Sequence, residues 1–341
     1  MLAAVWLDAW LGEARRFHPL VGFGRVASAV ERYSNRDAWV QKPNDSLREN
    51  PTQGGRHRPA PVRRGRVAPA QAGAYGEPYG FRRKLSGALA WSALVVSPVA
   101  LLFVVQGALP SVGAWMLDVA TLYVALGRRS LADHAKPIAS ALDAHDLSTA
   151  RAAVSRMVSR DTDSLDASQV AGAATESVLE NGHDAVFGAL FWFALLGAPG
   201  ALLFRLANTL DAMWGYRTPR YLRFGWAAAR ADDALGFVSA RLTALTYAAM
   251  GHFDTAMRCW RVQAPTWKSP NAGPVMAAGA GALGVSLGGP APYHGRWEDR
   301  PPLGEGAAPD AASIHGALRL VDRGVLLWLV TACLAGVAIH A

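Results

Sequence analysis

Cysteine is almost absent from this chain: Cys259 and Cys333 are the only two among 341 residues. Without a CxxC pair there is no disulfide framework and no cysteine-type structural metal site. Cys333 sits in an apolar run, where a thiol packs as a small hydrophobe. Histidine does not fill the gap, since His18, His134, His183, His252, His294 and His315 are scattered and no HExxH occurs. Neither GxxxxGK[ST] nor a strand-borne GxGxxG is present, and there is no GxSxG elbow. These absences argue against a simple hydrolase and leave nucleotide binding of an unfamiliar kind open. Charge is scarce too. Charged residues make up 18% of the chain against 51% hydrophobic, with a mean hydropathy of +0.12. Soluble domains carry about 25% charged residues, so this balance points to a membrane protein.

What charge there is lies unevenly. Residues 48–84 hold nine basic side chains against Glu49 and Glu77, a local +7 within a total of +8. The stretch lacks the interleaved aromatics of a nucleic-acid surface, so no nucleic-acid partner is expected. Its Gly/Pro/Arg composition reads as a flexible loop or insertion over 44–84, inside an otherwise single domain of 1–341. Basic residues flanking a span hold their loop on the cytoplasmic side.

Gly87–Leu109 lacks charge over the about 20 residues a helix needs to cross a bilayer. Pro98 kinks such a helix without forbidding it. Val112–Leu126 can return, and its Asp118 must then face protein or a cavity. Leu2–Leu11 is apolar but too short to span, which suits an interfacial helix. Asp146 or Ser148, and Asp166 or Ser164, offer caps for two polar helices before Asn181. Ala185–Phe204 is apolar but broken by Gly197, Pro199 and Gly200. A re-entrant hairpin there keeps the flanking polar regions on one side. The small-residue run after Ser269 suits close helix approach. Residues 288–315 read as loop, and Gly324–Ala341 as a final span. The expected class is an all-α polytopic membrane protein with polar helical loops and a re-entrant segment.

Ionisable groups beside apolar segments are costly unless they pair or face a polar cavity. Asn208, Asp211, Arg230, Asp232, Asp233 and Arg241 form such a set, with Trp214 and Tyr216 as an aromatic border. Arg230 can pair with Asp233 three positions on. Arg151, Arg156 and Arg160 offer guanidinium forks next to Asp161, Thr162 and Asp163. The same groups can instead cap helices and form surface pairs. Glu176 and Glu180 share a helical face, either around a cation or as a solvated edge.

An ordered set of blocks carries a resemblance: LDAWLGEARRFHPLVGFGR, VSRDTDSLD, AATESVLENGHDAVFGALFW, NTLDAMWGY, FGWAAARADD and SPNAG. From about Leu7 to Gly289 the chain resembles the adenosylcobinamide-phosphate synthases, the CobD/CbiB family of cobalamin biosynthesis. The resemblance implies a multi-pass cell-membrane enzyme with its active site on the cytoplasmic side. It implies ATP-dependent amide formation between adenosylcobyric acid and (R)-1-amino-2-propanol or its O-phosphate, with ATP as cosubstrate and Mg²⁺. Asp161, Glu180, Asp211, Asp232 and Asp233 become the catalytic candidates. Substrate or phosphate would be held by His18, Arg160, Thr162, Asn181, Asp184, Asn208, Arg230, Arg241 and Asn271, and Mg²⁺ by Glu176, Glu180 and Asp211. The implied partners are corrinoid and aminopropanol, the lipid bilayer and other enzymes of the pathway. A non-catalytic scaffold or an AmpE-like regulatory protein is the alternative. Departures from the family pattern include Ala185 for glycine, Gly236 for asparagine and Met276 for glutamate.

Overall fold

A computed structural model describes residues 1–12, 18–36, 77–293 and 295–340. The block EARRF and most of the basic stretch 44–84 lie outside the described residues. Among the described residues twelve α-helices run in order: α1 (Leu2–Leu11), α2 (Pro19–Ser34), α3 (Glu77–Ala108), α4 (Ser111–Ala125), α5 (Arg128–Asp143), α6 (Leu147–Val154), α7 (Ala167–Gly182), α8 (Gly188–Trp214), α9 (Trp226–Met250), α10 (Phe253–Gln263), α11 (Ala272–Leu283) and α12 (Ala311–His340). Among the described residues the strands form two small antiparallel ribbons between α11 and α12, β1 (Leu287–Gly288) with β4 (Pro302–Leu303) and β2 (Ala291–Tyr293) with β3 (Arg296–Glu298).

Three stretches are long and apolar enough to cross a membrane: Gly80–Ala108, Ala167–Trp214 and Ala311–Ala338. The first buries only 11% of its apolar window inside the protein and the last 28%. Leu89, Leu101, Phe103, Trp115, Leu326 and Leu334 therefore face outward. So broad an unpartnered apolar surface is a lipid-facing one. The stacked Trp6 and Trp10 on α1 extend that surface. The helix boundaries exceed those expected. α3 starts at Glu77, so the end of the basic stretch is helical, and α12 starts at Ala311, within a segment read as loop.

The middle stretch doubles back. Gly197 has φ 64° and ψ −151°, a region open essentially to glycine, and it divides α8 into two arms. Phe204 on the return arm packs edge-on to His183 at 5.9 Å and fills the space beside Gly188. In an unbroken helix residues 183 and 204 would lie about 30 Å apart. The re-entrant segment is thus a helical hairpin. Asp118 caps its return arm by accepting from the Ala198 N–H at 3.0 Å, while Gln106 donates to the same carboxylate at 2.9 Å. The one acid of α4 does face protein, as its cost in an apolar setting demands. Replacing Gly197 with alanine is expected to lower stability by about 1–3 kcal/mol, read as a lower thermal midpoint of the detergent-solubilised protein.

Two cores flank the hairpin. The larger gathers α5, α7, α8, α9 and α12 around Ile138, Leu179, Leu190, Tyr247 and Ile314. The smaller joins α2, α3 and the return arm through Ala27, Val95, Leu210, Trp214 and Phe224. Small residues permit the tight helix contacts: a Cβ on Gly279 would lie 2.6 Å from the Leu179 side chain, and one on Gly281 2.8 Å from the Ala256 backbone.

Candidate functional site

The polar residues are placed where the helices lose regularity. Asp166 caps α7 through a capping box with Gln169, which starts a helix buried along most of its length. At its far end His183–Phe187 form a π turn. There the His183 N–H donates to the Glu180 carbonyl, and the Leu179 carbonyl instead accepts from the Tyr247 hydroxyl at 3.0 Å. Such π turns often present side chains at functional sites, and this one carries His183 and Asp184.

His183 is buried and bonded at both ring nitrogens, to Asp184 at 2.7 Å and to the Ser239 hydroxyl at 2.9 Å. The pair fixes the direction of the Asp184 carboxylate. On the return arm Asn208 donates to Asp232 of α9 at 3.3 Å. Asp211 lies over Gly215, where a Cβ would come within 2.1 Å of its Oδ1. Asp184, Asp211 and Asp233 all lie within electrostatic reach of Asp232. The arms of one hairpin and the start of α9 thus bring four aspartates together.

Asp211, Asp232 and Asp233 open on a recess of about 450 Å³ that Arg217, Arg230, Lys268 and the aromatic Tyr216, Tyr221 and Trp226 complete. Arg230 pairs with Asp233 at 3.3 Å, as its spacing predicted. A buried strut holds the loop that supplies Arg217 and Tyr221. Glu31 accepts from Arg220 at 3.0 and 2.5 Å and from Asn35 at 2.9 Å, and Arg83 of α3 reaches both Asn35 and the Arg220 carbonyl at 2.9 Å.

Burial, with Asp184 and Asp211 next in weight, pushes the Asp232 carboxyl well above the usual aspartate range. Asp233 is pushed up by burial and held down in part by Arg230 and Arg217. A raised folded-state value means that, as pH rises past about 3.9, the unfolded chain releases its proton first. Stability present at low pH is therefore lost as pH rises towards the Asp232 value. The expected slope is up to about 1.4 kcal/mol per pH unit for this one proton. Asp232→Asn should flatten that dependence in thermal unfolding series from pH 5 to 8.

A second polar cluster lies along α7. Glu176 accepts from Arg160 at 2.5 Å, from Arg300 through both oxygens at 2.9 and 3.0 Å, and from the Gly288 N–H at 2.8 Å. Burial pulls the Arg300 value down, but the hydrogen bond to Glu176 and its charge together outweigh it and leave the guanidinium raised. Glu180 follows one turn on, within electrostatic reach of Arg160, Arg300 and Asp184. These groups line a cavity of about 250 Å³ with Asn181, Trp267, Met276 and Tyr293. Glu180 and Asp184 join this cluster to the four-aspartate recess.

Other candidates take different places. Asp161 accepts from the Gly295 N–H at 2.7 Å and so holds the β2–β3 turn. Thr162 is buried, and its carbonyl accepts from the Leu165 N–H. Arg151 donates to the Leu165 carbonyl at 2.6 Å and serves the fold. Asn271 donates to the Asp233 carbonyl at 3.0 Å and accepts from Arg241 at 3.3 Å, while the Arg241 guanidinium stacks 3.4 Å from the Phe237 ring centroid. Gly236 makes room for this: a Cβ there would meet the Asn271 amide at 2.5 Å and His183 at 3.3 Å. The amide of Asn271 therefore fills the space where the family pattern has an asparagine at 236. His18 caps α2 through the Leu20 N–H at 3.3 Å and lines a third cavity, of about 240 Å³.

Among the described residues no group of three or more His, Cys, Asp or Glu side chains is close enough to enclose a metal ion. The acceptor atoms of Glu176 are engaged by two guanidinium groups. The donors that remain, Asp211, Asp232 and Asp233, suit a hard cation held by one or two carboxylates and completed by phosphate oxygens. Sequence reasoning missed His183, Ser239, Arg217, Lys268 and Arg300. His183 lay inside a quoted block, but nothing in its spacing marked it, and Arg300 lay in a stretch read as loop.

A family model described as CobD/Cbib protein matches residues 1–321. The cobalamin biosynthesis protein CobD of Chromobacterium violaceum is 53% identical over 99% of this chain and 97% of its own length. That of Stutzerimonas stutzeri is 51% identical over 98% and 97%, and that of Mycobacterium tuberculosis 36% over 97% and 94%. No solved structure matches the chain.

Proposed function

The chain belongs to the CobD/CbiB family and has its role in cobalamin biosynthesis, and from that premise we propose that it is an ATP-dependent amide-forming ligase of the cell membrane. Its acyl substrate is adenosylcobyric acid and its amine is (R)-1-amino-2-propanol or the O-phosphate of that alcohol. The observation that carries this reading is the meeting of Asp184, Asp211, Asp232 and Asp233 with Arg217, Arg230 and Lys268 at one recess. Amide formation from a carboxylate needs that carboxylate activated, because its hydroxide is a poor leaving group. Transfer of the terminal phosphoryl group of ATP to a carboxylate oxygen gives an acyl phosphate and ADP. Attack by the amine then forms the C–N bond, phosphate departs with the C–O electron pair, and the amine loses a proton.

The residues divide this work by their surroundings. Arg217, Arg230 and Lys268 hold anionic oxygens and stabilise charge at the transferring phosphoryl group. Asp211 and Asp233 would hold Mg²⁺ against those oxygens, and the metal when bound supplies charge neutralisation. Asp232, whose proton affinity burial raises, suits the general base that takes the amine proton. Asn208 orients that carboxyl, and His183 orients Asp184. Arg160, Glu176, Glu180 and Asn181 form the adjoining wall, Asp161 and Thr162 secure its outer edge, and Arg241 and Asn271 secure the floor. The recess opens on the cytoplasmic side in this reading, where ATP is available.

The test supplies adenosylcobyric acid, ATP and Mg²⁺ with either amine to membranes carrying the protein, and follows product mass. Product that requires ATP, with one amine preferred, supports the reading. No product with either amine overturns it and leaves the non-catalytic scaffold.

A further inference from the structure

We infer that Tyr247 is a positioning residue for the amide-forming chemistry, its buried hydroxyl holding open the π turn that sets His183 and Asp184 beside Asp232. The role rests on the ligase reading for the reaction it serves. Tyr247 lines neither the recess around Asp211 nor the cavity around Glu180. Its influence on either therefore passes through the turn it touches.

In an α-helix each carbonyl accepts from the N–H four residues on. At the end of α7 the Leu179 carbonyl accepts from the Tyr247 hydroxyl at 3.0 Å, and the His183 N–H turns to the Glu180 carbonyl. Tyr247 is fully buried on α9. Its hydroxyl fills the space beside Gly182, where a Cβ would come within 2.1 Å of it. Any side chain at position 182 would push the phenol out. His183–Phe187 then wind as a π turn, closed by the Gly188 N–H on the His183 carbonyl. A π turn holds one residue more than an α turn, so it offsets what it carries by about 100° from the regular helix.

The far edge of the turn is held in a similar way. Phe204 fills the space beside Gly188, where a Cβ would lie 2.1 Å from its Cζ. Phe187, inside the turn, packs edge-on to Tyr247 at 5.9 Å. Two aromatic side chains thus grip the turn against two glycines, and of the two only Tyr247 also bonds the backbone. His183 and Asp184 lie between these grips. His183 is held in turn by the Ser239 hydroxyl at 2.9 Å, and Ser239 stands about two helical turns before Tyr247 on the same α9. One helix therefore fixes both the width of the turn and the direction of its histidine, which meets Asp184 at 2.7 Å. With the Tyr247 hydroxyl gone, the Leu179 carbonyl is left to the His183 N–H. The turn then tightens towards α geometry and carries Asp184 with it. Misplacing a reacting or orienting group by 1 Å costs on the order of 10²-fold in rate.

Tyr247→Phe removes the hydroxyl and keeps the ring. Its control is Thr246→Val, one residue away, which deletes a hydroxyl that accepts from the Trp328 indole at 2.8 Å, outside the hydrogen bonds of the turn. Both variants should lower the thermal midpoint, since each breaks a buried hydrogen bond. Only Tyr247→Phe should lower kcat, by about 10–100-fold with KM for the amine nearly unchanged. A second readout needs no turnover. The Asp184 side chain is 32% exposed and that of Asp233 28%, so carbodiimide coupling to glycine ethyl ester, followed by peptide mass, reports on each. Coupling at Asp184 should change several-fold in Tyr247→Phe, while coupling at Asp233 stays as in the wild type. Wild-type kcat in Tyr247→Phe, or an equal loss in Thr246→Val, overturns the proposal, and so does unchanged coupling at Asp184. Should Tyr247→Phe fail to accumulate, Phe204→Leu loosens the turn from its other edge and must give the same two changes; wild-type values there overturn the proposal. Should the wild-type protein form no amide, the ligase reading fails, and the coupling at Asp184 alone decides whether Tyr247 sets the turn.

Discussion

Asp211→Ala should lower amide formation by about 10²–10³-fold, the effect typical of losing one preorganised electrostatic contact at a reacting centre. The protein should stay in the membrane with no loss of thermal stability. Asp211 lies within electrostatic reach of Asp184 and Asp233, and it sits over Gly215 with no guanidinium paired to it among the described residues. Like charges in a partly dry recess repel, so removing one relieves the fold while it harms function. Functional sites commonly hold such unfavourable arrangements. Product formation and thermal midpoint, measured on the same preparation, separate the two effects. A variant that retains full synthesis removes Asp211 from the chemistry.

The opposite balance holds at Glu176. Its carboxylate is buried, and the Arg160 and Arg300 side chains are each only 11% exposed. Glu176→Gln leaves two guanidinium groups with no countercharge, and breaking a buried ion pair from one side costs about 3–5 kcal/mol. The Gly288 N–H also loses an anionic acceptor, which loosens the β1–β4 ribbon against α7. The expected result is a much lower midpoint in detergent and poor accumulation in membranes. Replacing Arg160, Glu176 and Arg300 together with methionine should recover much of that loss, because no charge is then left unpaired. A loss below about 1 kcal/mol in the single variant would mean that water reaches these groups.

The two residues illustrate what sequence can reveal. The pair Glu176 and Glu180 was legible as one helical face, with a cation site and a solvated edge as its two readings. Neither describes Glu176, since Arg300 comes from a loop 124 residues away. No local pattern encodes such a partner. The hairpin was readable because Gly197, Pro199 and Gly200 break an apolar run, and a broken run in lipid needs protein around it. Asp118 was legible as an acid that must find a partner, but not which partner. The Arg230–Asp233 pair follows from helical spacing alone. His183 did not stand out because its role is to bridge Asp184 and Ser239, which lie 55 residues apart in the sequence. Asp161 shows the converse: a residue in a matching block whose carboxylate supports a turn.

All of this depends on the chain turning round at Gly197, so that segments before α7 and after α8 share a compartment. Single cysteines at Ser159 and Tyr216, both exposed, can be introduced with Cys333→Ser and probed by an impermeant maleimide in vesicles of known orientation. Labelling of both positions from the same face is the predicted result. Labelling from opposite faces would mean that α8 passes straight through the bilayer, and the aspartates could not then share a site with Arg160 and Glu180.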